Sequence, residues 1–145
     1  MKKAVQKILG MALITMTSVS FAATLTSLNK TQVEQAFVGK TLVSIPTDNL
    51  NGKTINNTFS MFMDNHGHIW GSMSQKPVDE PRADEGVYSI KQDGTVYMTW
   101  NHWDGAKQLC FHSFATANAY LNVGCDQVFH TAFMKADVVQ GDHLN

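Results

Sequence analysis

Between residues 58 and 100, apolar and polar side chains alternate with a period of two around two short glycine-containing loops. A chain written this way folds into antiparallel hairpins with one buried face. In TFSMFMDNHGHIWGSMS, a three-residue loop Asn65-His66-Gly67 with glycine in the left-handed position sets Asp64 against His68, Met63 against Ile69, Phe62 against Trp70, Met61 against Gly71 and Phe59 against Met73. One face then carries Phe59, Met61, Met63, Ile69 and Met73, and the other carries Phe62, Asp64, His68, Trp70 and several serines. In GVYSIKQDGTVYMTW, the same geometry at Gln92-Asp93-Gly94 puts Tyr88, Ile90, Val96, Met98 and Trp100 on one face and Val87, Ser89, Lys91, Thr95, Tyr97 and Thr99 on the other. A two-residue Asp93-Gly94 loop would mix the faces, so burial selects the longer one.

A third turn, read as a two-residue loop at Asp104-Gly105, predicts Trp100 opposite Leu109 and Met98 opposite Phe111. Cys110 then falls on the outer side, and a turn near Ala117-Asn118 brings Cys125 across from it. That register also turns Phe114 and Leu121 outward and Asp126 inward, so a bulge or a corner is expected there. Further strands are expected at 40–45, 119–123, 128–134 and 136–139. The whole makes an all-β, antiparallel up-and-down meander of about eight strands closing into a small barrel.

Before the strands, LNKTQVEQAFVGK places Thr31 and Glu34 at capping-box spacing, ahead of Val33, Ala36 and Phe37 and a closing Gly39. One short helix follows, with those three residues as its apolar face. The one long loop, KPVDEPRADEG, is rich in charge and proline and reads as a solvated rim, with Arg82 a candidate anion contact.

At the start of the chain, MKKAVQKILGMALITMTSVSFAA combines Lys2, Lys3 and Lys7 with an apolar run and small residues at Ser20 and Ala22. This has the form of a secretory signal peptide over residues 1–22, with 23–145 as a single β-barrel-type domain, and it predicts a periplasmic or secreted protein with no membrane anchor once cleaved. Removing it leaves eight basic against 12 acidic residues, a net charge of −4 without basic clusters, and excludes a nucleic-acid partner on electrostatic grounds. Cys110 and Cys125 are the only cysteines, and in an oxidising compartment they are expected to form a structural disulfide. A redox pair and a pair of metal thiolates are the competing readings, and the spacing lacks a C-x-x-C motif.

The residues FVGKTL (37–42), Gly86-x-Tyr88-x-Ile90 followed by Asp93-Gly94, Trp100, Leu109-Cys110-Phe111 and Tyr120 occur in an order that resembles small exported bacterial proteins of a domain-of-unknown-function family with a lipocalin-like barrel. The resemblance implies a barrel-like fold and no assigned activity. The chain departs from the family's pattern where Val96-Tyr97 stands in place of its other cysteine, so the bridge joins different strands here.

These residues bear on three kinds of function. Methionine, histidine and tryptophan within SMFMDNHGHIWGSM suggest copper handling, since thioethers suit Cu(I). Register turns Met61, Met63 and Met73 inward and His68 outward, so no metal or other cofactor is assigned. For hydrolysis no nucleophile motif is present, and His102 in TWNHWDG is the best single candidate for a general base, although a histidine between tryptophans is more often packed. A non-enzymatic binding protein for an unidentified protein or small molecule fits best. Its expected contact residues are Phe62, Trp70 and Tyr97 on the outer face, with His102 and Trp103 at the rim; the competing expectation is that the helix covers the aromatics. A second binding mode is a cavity within the barrel, which Trp100, Met98 and Phe111 are expected largely to fill.

Overall fold

The computed structural model describes residues 25–45, 58–75 and 79–144. The expected signal peptide at residues 1–22 lies outside the described residues. The order is β1 (Thr26–Ser27), α1 (Lys30–Phe37), β2 (Lys40–Val43), β3 (Phe59–Met63), β4 (His68–Met73), β5 (Ala83–Ile90), β6 (Val96–Trp100), a 3-10 turn (Trp103–Ala106), β7 (Gln108–Ala115), β8 (Ala119–Gly124), β9 (Phe129–Met134), a second 3-10 turn (Lys135–Asp137) and β10 (Val139–Gln140). All the strands belong to one sheet, ordered β10-β2-β3-β4-β5-β6-β7-β8-β9, with β1 pairing the far half of β7.

This sheet curls into an open half-barrel whose edges lie 11 Å apart, and the expectation of a closed, lipocalin-like barrel of about eight strands is corrected. Closure needs a continuous ladder between the two edges. Here the chain leaves β9 through the Lys135–Asp137 turn, so β10 meets β2 for two residues only, Val139 against Thr41 and Gln140 against Lys40. β9 itself touches the end of β2 through the Ser44–Phe133 bridge and the Ile45 N–H to Ala132 C=O bond at 2.8 Å. Of the strand expected at 136–139, residues 136 and 137 lie in that turn and only Val139 is in β10.

Both hairpin registers follow the alternation. Met63 faces Ile69, Phe62 faces Trp70, Tyr88 faces Met98 and Ile90 faces Val96. The third loop residues, Gly67 and Gly94, have φ of +90° and +88°, the left-handed region that glycine enters without steric cost. The third connection departs from the two-residue turn. Met98 faces Leu109 and Val96 faces Phe111, two residues away from the expected pairing, because Trp103 folds into the interior and lengthens the loop. A shift of two preserves the faces, so the apolar side stays continuous.

The β7–β8 ladder runs without the expected bulge: Phe111 pairs with Gly124 and Phe114 with Leu121. The inward residues are Ser113 and Asn122, hydrogen-bonded to each other, which is why strict alternation looked broken. The irregularity lies one ladder later, between Asn122 and Val123 in the β8–β9 pairing. Asp126 sits in an exposed turn, where its carboxylate accepts from Val128 N–H.

Helix α1 is capped by Asn29 and Gln32, not by Thr31 and Glu34: the Asn29 side chain accepts from Gln32 N–H and the Gln32 side chain from Asn29 N–H. Val33, Ala36 and Phe37 are buried as expected. The helix does not cover the outer aromatics. It plugs the end of the half-barrel that carries the hairpin loops, where Phe37 packs edge-on against Tyr120 at 5.2 Å and Gly39 N–H bonds Met63 C=O at 2.7 Å. Beneath it, burial first and then the Asp64 and Glu34 carboxylates push the Tyr88 phenol up to about 12.

Cys110 and Cys125 form the disulfide, with Cα atoms 5.5 Å apart, and Cys125 N–H also bonds Cys110 C=O at 3.0 Å. The bridge closes the β7–β8 hairpin near the end remote from the helix. Replacing both cysteines by serine is expected to lower unfolding free energy by about 3 kcal/mol, the loop-entropy value for a loop of about 15 residues. Urea unfolding of the two proteins measures it, and an unchanged midpoint would show that the ladder alone holds the hairpin.

Candidate functional site

The end of the half-barrel opposite the helix holds a cavity of about 230 Å³. Its construction begins with one carboxylate. Asp84, near the start of β5, has a side chain only 1% exposed; its Oδ2 accepts from His102 N–H at 2.8 Å and Trp103 N–H at 2.9 Å, and its Oδ1 bonds His102 Nδ1 at 2.9 Å. These bonds pin the loop after β6, and Trp103 is held at its outer end by an Nε1–H bond to Pro81 C=O at 2.6 Å. Asp104 N–H adds a bond to Glu80 Oε1 at 2.9 Å.

Pinned in this way, the Trp103 ring lies in the interior, 2% exposed, with its centroid 4.8 Å from that of Trp100. Phe59 meets both indoles at 5.9 Å. Gly71 makes the space: a Cβ there would stand 2.5 Å from Trp103 and 2.8 Å from Trp100. The three rings, with the thioethers of Met61, Met73 and Met98, form one wall of the cavity. The rest of the lining is partly polar and comes from the last strands and the end of β2, with Ser44, Asn122, His130 and Thr131 beside Phe111 and Phe133.

The residues expected to bind a partner are brought together only in part. Phe62 and Trp70 stack on the outer face, centroids 5.9 Å apart, and remain half-buried. Tyr97 faces Ser89, four positions along β5 from the Glu85 that faces Trp70, a separation of about 13 Å. Lys91 covers its ring at 4.5 Å. His102 is at the rim, its side chain 69% exposed, beside a groove shared with Trp70 and Leu144. Trp103 is core. Sequence reading missed Asp84, which lay in a stretch taken for a solvated loop although β5 begins at Ala83, and it missed Asn122 and His130. Arg82, the candidate anion contact, donates Nε–H to Met73 C=O.

The geometry bears on the chemical readings. His102 and Asp84 have the imidazole–carboxylate geometry that a general base and its orienting group would need, and among the described residues no serine, threonine or cysteine side chain bonds the ring. His68 bonds Asp64 at 3.1 Å on the outer face, away from the inward methionines. Among the described residues no three His, Cys, Asp or Glu side chains gather as a metal-holding group.

Trp70 and Asp84 are both open to mutational test. Because Trp70 is half-buried on the outer face, Trp70→Ala should cost about 1 to 2 kcal/mol in urea unfolding, less than the roughly 3 to 5 expected for a buried large aromatic; a loss in the upper range would mean that Trp70 is core. Asp84 is the second case. Burial raises its pKa, but the hydrogen bonds from the His102 ring and from backbone N–H groups outweigh it and hold the carboxyl below its ordinary 3.8. A depressed folded pKa contributes stability that is complete above the unfolded value and lost as pH falls through the folded one. Asp84→Ala should therefore destabilise the protein by about 2 to 4 kcal/mol at pH 7, since it strands buried donors. Below about pH 4 the gap to the native protein should narrow, and a gap constant from pH 7 to pH 2 would remove Asp84 from the acid limb.

The chain matches no protein-family model, no curated protein and no solved structure, so the resemblance to a domain-of-unknown-function family has no support beyond its short motifs.

Proposed function

We propose that this is an exported, non-enzymatic binding protein that takes a small, largely apolar molecule into the mouth of its half-barrel. The observation that carries the reading is the cavity of about 230 Å³, lined by aromatic rings and thioethers together with Ser44, Asn122, Thr131 and His130. Apolar concavities with a few convergent polar groups are the usual form of a small-molecule site. A 150 Å³ apolar cavity takes benzene, so a space about half as large again suits one ring with a short substituent. Export rests on the leader at residues 1–22.

Copper handling is the second reading, because the thioethers of Met61, Met73 and Met98 and the ring of His130 surround the same cavity. Methionine methyl resonances separate the two. With toluene as probe, the Met61, Met73 and Met98 methyls should shift saturably, while that of Met63, which lies towards the helix, stays in place. Met73→Phe, which fills the space, should weaken binding about tenfold or more, given that affinity here comes from ring burial. Absence of any saturable shift would sink the small-molecule reading. Tight one-to-one Cu(I) binding lost in Met98→Leu would put the metal in its place.

A further inference from the structure

We infer that the cavity selects a planar aromatic molecule bearing a conjugated, uncharged carbonyl group, and that the Asn122 amide reads the carbonyl oxygen. This rests on the proposal that the cavity takes a small molecule at all.

Asn122 lies on the inward face of β8 and is 2% exposed. An amide placed there costs free energy unless its donors and acceptor are used. Its Oδ1 accepts from Ser113 Oγ at 2.8 Å, and Ser113 is itself fully buried on the neighbouring strand. That bond fixes the plane of the amide and engages its oxygen, while among the described residues no acceptor bonds the Nδ2 hydrogens. Among the described residues no sealed side-chain nitrogen or oxygen lacks a partner, so Nδ2 is not enclosed by protein. Asn122 lines the cavity, which is where Nδ2 can meet an acceptor.

A donor held at a fixed angle in an apolar concavity selects for an acceptor on the ligand, because a ligand without one leaves the N–H groups dry and unpaired. The aromatic wall specifies the rest. Trp100, Trp103 and Phe59 present ring faces and edges at the spacings aromatic groups prefer, so a flat ring gains more there than a chain of equal volume. Charge narrows the choice further: among the described residues no Lys or Arg lines the cavity and Asp104 does, which disfavours a carboxylate ligand.

The test compares acetophenone with α-methylstyrene, which has nearly the same planar outline but a methylene group in place of the carbonyl oxygen. Both are titrated into the native protein and into Ser113→Ala/Asn122→Leu by isothermal calorimetry and methionine methyl shifts. The double change removes donor and acceptor together, so neither is left buried and unpaired and the fold is kept. The native protein should prefer acetophenone by about five- to tenfold, the usual worth of one hydrogen bond, and the double variant should bind both probes equally. Equal affinities in the native protein, or a preference that survives in the variant, would overturn the role of Asn122 while leaving the cavity a binding site. If neither probe binds the native protein, the cavity reading and this inference fail together.

Discussion

A single sheet with one apolar face has to bury that face, and among the described residues only an eight-residue α-helix helps. Such a helix covers one end of the sheet and no more. The remaining apolar surface is buried by curvature, which brings Leu42, Met61, Ile69, Met98, Phe111 and Phe133 from separate strands into one cluster. Each fully buried side chain of this kind contributes about 1.5 to 3 kcal/mol, enough to hold the curl without a sealed seam. The open edge and the cavity are two results of the same shortfall in covering structure. The helix fills one end with Phe37 and Val33, and the other end has to be filled by side chains from loops.

What fills that other end depends on a charge. A carboxylate as enclosed as Asp84 survives in the ionised form only if its lone pairs are used, and the loop after β6 uses them with two backbone N–H groups and an imidazole nitrogen. The charge and the loop fix each other. With the loop set, Trp103 has one place to go, over Gly71 and against Trp100, and the aromatic wall is the outcome. The same contacts displace the β6–β7 register by two residues from the tight-turn pairing. A binding surface and a strand register thus share one electrostatic cause.

The polar wall has a different origin. Ser113 and Asn122 face inward from adjacent strands and satisfy each other, so they interrupt the apolar face without breaking the ladder. Read one strand at a time, they looked like evidence for a bulge. Paired in space, they are a fixed donor on an otherwise apolar surface. Phe114 and Leu121 point outward beside them, and the local pattern of both strands is inverted with respect to their neighbours.

The sequence by itself determined the parts whose physics is local. Period-two alternation and glycine at the third loop position specified the two central hairpins down to the pairs Met63–Ile69 and Tyr88–Met98, because a slip of one residue would turn every apolar side chain to water. The two cysteines were legible as a bridge, and the helix by its apolar face. The tertiary structure decided whatever depends on residues far apart in the chain. Asp84 and Trp103 are 19 positions apart, and nothing in either stretch announces that one will hold the other. Closure was decided at the Ser44–Phe133 bridge and the turn after β9, where the edges meet too briefly for a continuous ladder. The cavity is the space left between those long-range contacts, and its shape depends on loop paths and strand curvature that no local pattern encodes.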